Sequence, residues 1–215
     1  MAHTVSSIQK QVQQGQIAPL YLLYGEEPYF VDLLTDFLQN NLLDEAERGF
    51  NQVVLYGRDC TADDIVGHCR RYPMMAERQV VLVREAQDLK QIDALEVYVK
   101  QPQPTTVLVL AYKYKNPDKR KKWVKYMQDQ GVAFESKKMY EDGVANWIKD
   151  ELAQAQLQIS PKALAMMLAY LGTDLSKIHN EISKLRLVVP AGQSIDEQHI
   201  ADHRDNLTRQ TLHCS

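Results

Sequence analysis

Short apolar runs alternate with longer amphipathic stretches through the first two thirds of the chain. Residues 19–24 (PLYLLY) read as a first strand, halted at Gly25. A helical pattern follows over residues 28–42, with Pro28 in the first turn, where its missing N–H is not needed. Residues 50–56 (FNQVVLY) predict a second strand. Thr61 then predicts a helix cap, and Asp63 and Asp64 suit the positive end of that helix's dipole. Pro73 is expected to interrupt this helix. Third and fourth strands are predicted over residues 79–83 (QVVLV) and 105–111 (TTVLVLA), and a fifth over 132–134. Runs such as VVLV and VLVL are apolar on both faces, as in the strands of a covered parallel sheet. The alternation with helices predicts an α/β layered domain.

The pattern changes near residue 138. From Tyr140 onward it is helical, with one helix over residues 143–155. Ser160-Pro161 caps and opens a second helix, which runs through Leu171 and ends at Gly172. A third covers 174–188, where Leu175, Ile178, Ile182 and Leu185 recur at three- and four-residue spacing. The expected organisation is an α/β domain over 1–138, a small helical domain over 139–200 and an atypical tail over 201–215.

Composition narrows the function classes. The net charge of −3 removes a whole-protein basic field for gripping nucleic acid, so any DNA contact must come from a local patch. Cys60, Cys69 and Cys214 make an odd count, which favours a reducing cytoplasm over a disulfide-built secreted protein. The polar N-terminus lacks the apolar core of a signal sequence, and no apolar run approaches the roughly 18 residues of a membrane helix.

The turn after the first strand is where a nucleotide-binding loop would lie. Such a loop, G-x-x-x-x-G-K-S/T, cradles phosphates on backbone N–H groups, neutralises them with its lysine and holds Mg²⁺ with its hydroxyl. Counted from Gly25, the second glycine position holds Phe30, the lysine position Val31 and the hydroxyl position Asp32. Glu26 and Glu27 add negative charge where phosphates would sit. The third strand ends VVLVREA, so Arg84 stands where an ATPase places the first residue of its acidic pair. The remaining Glu85 reads as a local ion pair with that arginine. Neither nucleotide binding nor hydrolysis, and no cofactor or metal, is expected.

Two further segments carry chemical character. Tyr72-Pro73-Met74-Met75 forms an apolar tip between a helix and a strand. Its methionines either project from the helix end or pack beneath the sheet edge, since methionine commonly fills core gaps. Residues 113–125 hold Lys113, Lys115, Lys119, Arg120, Lys121, Lys122 and Lys125 against Asp118, with Tyr112, Tyr114 and Trp123 interleaved. One reading is contact with DNA phosphates or a neighbouring protein. The other is a solvated loop and helix start with Trp123 turned to the core. His179, within the third predicted helix of the second domain, reads as a surface or packing residue.

Four segments in order, PLYLLYGEEPYF, FNQVVLYG, YPMMAERQVVLVREAQDL and LGTDLSKIHNEISKL, resemble the delta subunits of the bacterial DNA polymerase III clamp loader. The resemblance covers roughly residues 15 to 200. It implies an AAA+-like (RecA-type) parallel-sheet domain and a helical lid. The family's third, collar domain is expected to be absent, since DHRDNLTRQTLHCS does not resemble the family's continuation. It also implies a protein without ATPase activity that binds and opens the sliding clamp, the beta subunit. Its other implied partners are the ATPase subunits, delta prime and primed DNA. In this family two apolar residues before an A-x-R segment enter a hydrophobic clamp pocket. Those positions match Met74 and Met75, ahead of Ala76-Glu77-Arg78, so the implied clamp-binding set is Tyr72, Pro73, Met74, Met75 and Arg78. The loader's ATPase subunits carry a zinc module that begins with spacing like that of Cys60 and Cys69. Here its next two ligand places hold Tyr72 and Met75, so no zinc site is expected. The competing reading is a stand-alone DNA-binding module using residues 113–125.

Overall fold

In the computed structural model, residues 3–201 are described, and the chain divides into two compact units, Met1–Lys138 and Met139–Ser215. The first unit is built on β1 (Leu20–Gly25), β2 (Gln52–Tyr56), β3 (Gln79–Arg84), β4 (Thr106–Lys113) and β5 (Val132–Ser136). These form one sheet in the order β2-β3-β4-β1-β5, every pairing parallel. The helices are α1 (Val5–Gln13), α2 (Pro28–Asn41), α3 (Glu45–Asn51), α4 (Ala62–Cys69), α5 (Glu96–Val99) and α6 (Lys122–Gln130).

Side-chain alternation along the strands divides the core into two layers. Leu20, Leu22, Val81, Val83, Leu108 and Leu110 face α4, α5 and α6, meeting Ile65, Val66, Tyr98, Val99, Trp123 and Met127. Tyr21, Leu23, Val80, Leu82, Val107 and Val109 face α1 and α2, meeting Ile8, Val12, Val31, Leu34 and Leu38. The doubly apolar runs are therefore central strands covered on both faces, where each fully buried aliphatic side chain contributes on the order of 1.5–3 kcal/mol.

Several local expectations change. The second strand begins at Gln52, not Phe50, because α3 claims Phe50 and Asn51. Asp44 and Glu47 form a capping box that starts this helix, and local hydrogen bonding outweighs the strand propensity of phenylalanine. The polar N-terminal segment contains α1, started by a reciprocal Thr4–Ser7 box and held by Ile8 and Val12. The helix opened by Thr61 ends at Cys69, before Pro73 is reached.

The second unit comprises α7 (Glu141–Gln154), α8 (Pro161–Leu171) and α9 (Leu175–Val188), with a small parallel pair, β6 (Gln158–Ile159) and β7 (Ser194–Ile195). Sequence periodicity did not show that pair, which is too short to express a period of two. Val144, Ile148, Leu152, Leu164, Met167, Ile178, Ile182 and Leu185 are buried on the three helices. His179 Nδ1 lies 3.9 Å from the Glu151 carboxylate. The tail expected to be atypical falls, from residue 202 onward, outside the described residues.

Gly25 ends β1 at φ 145, where a Cβ would stand 1.9 Å from the Ser136 carbonyl oxygen. Gly25→Ala is expected to destabilise the first unit by roughly 3 kcal/mol or more, through both the backbone conformation and the overlap. Urea unfolding checks this; an unchanged midpoint contradicts the close approach.

Candidate functional site

Parallel strands place all their starts on one edge of the sheet and all their ends on the other, so two separate sites follow. At the ends of β1, β3 and β4 lies the place of a nucleotide site. Glu27 caps α2, its Oε1 accepting from the Tyr29 N–H at 3.1 Å. A carboxylate of the chain itself thus occupies the helix end that would receive a phosphate. Glu27 N–H also donates to the Ser136 carbonyl at 3.3 Å, drawing the turn onto β5. Val31, in the lysine position, is buried among the α2 core residues. Phe30 packs partly buried beside it, and Glu26 is exposed.

Charge is balanced here by internal pairing. Lys113, at the end of β4, places Nζ 3.1 Å from Asp32 Oδ1 and 4.0 Å from Glu85 Oε1. Glu85 adopts the left-handed conformation at φ 52 and turns to Lys113, so the expected pairing with Arg84 is replaced. Arg84 instead bonds Asp36 and Gln39, each at 2.6 Å. The hydroxyl and acidic positions of an ATPase are thereby tied together by a lysine of the same chain. Lys113 is only 13% exposed, so Lys113→Met is expected to leave two close carboxylates unpaired and to cost about 1–3 kcal/mol. Denaturant titration of the variant measures it, and full retention of stability would contradict the pairing.

The starts of β2 and β3 carry the apolar tip. Gln79 begins β3 buried, its side-chain amide donating to the Arg71 carbonyl and, at 2.8 Å, to Thr106 Oγ1. Thr106 Oγ1 passes its own hydrogen to the Cys69 carbonyl at 2.9 Å. Two sheet residues thus take carbonyls at and just beyond the end of α4, which satisfies groups that a helix end leaves orphaned. Beyond this anchor Tyr72 is 80% exposed, Met74 62% and Met75 fully exposed. Packing of the methionines beneath the sheet edge is therefore ruled out. Pro73 is half-buried between them. Arg78 stands at the base of the tip rather than on it, 3.4 Å from Glu77 and between two shallow clefts. One cleft is lined by Gly15, Ile17 and Pro104, the other by Asn41, Asp44 and Glu47.

Between Lys119 and Lys122 the basic stretch is paired with acids, three of them from elsewhere in the fold. Lys119 pairs with Glu135 at 3.0 Å, Arg120 with Asp118 at 2.9 Å, Lys121 with Asp93 at 2.6 Å and Lys122 with Glu96 at 3.8 Å. Arg120 beside it holds the Asp118 carboxyl down at about 2. Lys115 lies over the Tyr112 ring. Trp123 is buried, its Nε1 donating to Asp93 at 3.0 Å. The cations at 119–122 are thus each paired with an acid, and Lys115 and Lys125 stand outside these pairs.

Cys69 is the last residue of α4 and is buried, and Cys60, just before the Thr61 cap, packs partly buried against the same core layer. Burial pushes the Cys69 thiol up to about 12 from 9.0. This contribution to stability is present below about pH 9 and is lost as pH rises toward 12. At pH 8, iodoacetamide is expected to modify Cys60 ahead of Cys69, which should react only as the unit unfolds. Peptide mass spectrometry reads the order, and early loss of the Cys69 thiol would contradict its burial. Among the described residues no helix is long and apolar enough to cross a membrane.

The strand order, the turn after β1 and the crossover helices on both faces define an AAA+-like fold. Residues 21–137 match the family described as DNA polymerase III, delta subunit, and the chain belongs to that family. A curated relative, the DNA polymerase III subunit delta of Bacillus subtilis, is 26% identical over 191 residues, covering 84% of this chain and 55% of the relative. The solved Bacillus subtilis DNA clamp loader delta protein superimposes with a TM-score of 0.73 at 25% identity, over 92% of this chain and 61% of that one. The Thermotoga maritima RuvB Holliday junction branch migration motor shares the fold alone, with a TM-score of 0.53 at 16% identity over 94% of this chain and 68% of its own. The chain thus spans little more than half the length of the delta relative it matches in sequence.

Proposed function

We propose that this chain binds a sliding clamp, the beta ring, through the tip at residues 72–75 and favours the opened ring, as part of a cytoplasmic clamp loader. The observation that carries this reading is the exposure of Met74 and Met75 at the end of an anchored helix. Folding gains nothing from apolar side chains held in water, whereas a hydrophobic pocket on a partner would recover about 1–3 kcal/mol from each. Membership of the delta family and the name of the Bacillus subtilis relative, a clamp loader delta protein, supply the partner class.

Ring opening needs no covalent chemistry from this chain. A tip that binds the open geometry more tightly than the closed one shifts the ring by that difference in affinity. The Lys113–Asp32–Glu85 cluster supports a subunit that leaves nucleotide binding and hydrolysis to the ATPase subunits. In the loader its neighbours are those subunits and delta prime, acting on primed DNA. The pairing of Lys119, Arg120, Lys121 and Lys122 with local acids weighs against a stand-alone DNA-binding module.

Binding of the chain to the purified clamp, compared with a Met74→Ser/Met75→Ser variant, tests this reading. The variant is expected to lose at least roughly tenfold in affinity, about 1.4 kcal/mol. A folded parent chain that does not bind the clamp would refute the proposal, and equal binding by both proteins would refute the tip as the contact.

A further inference from the structure

Asn51 closes α3 and is buried, yet its side chain serves a loop 23 residues further along the chain. Its Oδ1 accepts from the Met74 N–H at 2.6 Å and its Nδ2 donates to the Met74 carbonyl at 2.9 Å. The same Nδ2 reaches the Glu47 carbonyl at 3.2 Å, which ties the amide to α3. Two bonds from one amide to one residue fix the peptide planes on both sides of that residue. The meeting is dictated by the sheet: β2 and β3 are parallel neighbours with Gln52 opposite Val80, so the segments entering them run side by side.

The residue after the clasp is the unusual one. Met75 has φ 53, a left-handed conformation that costs a residue with a Cβ roughly 1–2 kcal/mol, and its side chain is fully exposed. The clasp on Met74 lies directly before that conformation, and such a residue persists where the adjoining structure holds it in place. We infer that Asn51 is a positioning residue for the tip: its amide clasp on Met74 presets the loop in which Met74 and Met75 are presented to the partner's apolar pocket. A preset loop binds without first being ordered, so the clasp raises affinity without touching the partner. This rests on the clamp-binding reading above.

The test measures clamp affinity for the parent chain, Asn51→Ala, Met75→Ala and the double variant, with amide hydrogen exchange at Met74 on the same proteins. Asn51→Ala is expected to weaken binding at least fivefold in the parent background and less than twofold in the Met75→Ala background, and to remove protection of the Met74 amide. Should Asn51→Ala fail to fold, Asn51→Leu serves in its place, filling a similar volume with neither the acceptor for the Met74 N–H nor the donor to its carbonyl. Unchanged affinity, equal loss in both backgrounds or unchanged exchange at Met74 would overturn the positioning role. No binding by the parent chain would overturn the clamp reading together with it, whereas binding by the parent with an unaffected Asn51→Ala overturns the positioning role alone.

Discussion

A sheet whose central strands are apolar on both faces must be covered on both sides, and that requirement arranges everything else in the first unit. With all pairings parallel, each connection returns across a face through a helix, so strand starts gather on one edge and strand ends on the other. The place of a nucleotide site lies at the strand ends. The tip, its Gln79 and Thr106 anchors and Asn51 all lie at the strand starts. The two sites are therefore separated by the length of the strands and are free to differ in chemistry.

At the strand ends the polar side chains are paired with one another. A phosphate would find Glu27 already on the end of α2, and a magnesium ion would find Asp32 already paired with Lys113. At the strand starts the balance is reversed. Polar side chains from the sheet and from α3 are used to hold backbone carbonyls and amides, while the apolar side chains of the tip are left in water. Rigidity inside and unsatisfied apolar surface outside are what a binding surface requires and what a monomer's own stability does not.

The sequence was most readable where a residue's fate depends on near neighbours. The doubly apolar strands and the Ser160-Pro161 helix start were legible. Short elements governed by capping were not: α3 hid behind Phe50, and the β6–β7 pair has too few residues to show alternation. Partners brought in from afar were also invisible. The charges at 119–122 read as a basic patch because Glu135, Asp93 and Glu96 are distant in sequence. Asn51 carried no signal either, since an asparagine before a strand is ordinary until the 23-residue closure to Met74 is seen. For Met74 and Met75 the residues alone favoured packing beneath the sheet edge, and their exposure in the loop beyond α4 decides against it.

In the proposed function the exposed Met74 and Met75 are the surface that meets the clamp. The most direct measurement is methyl NMR of the chain titrated with the clamp ring, observing Met74 and Met75 beside the buried Met127 and Met167 as internal references. The Met74 and Met75 methyl signals are expected to shift or broaden, saturating with the binding isotherm, while those of Met127 and Met167 stay in place. Binding that leaves the Met74 and Met75 methyls unmoved would contradict it.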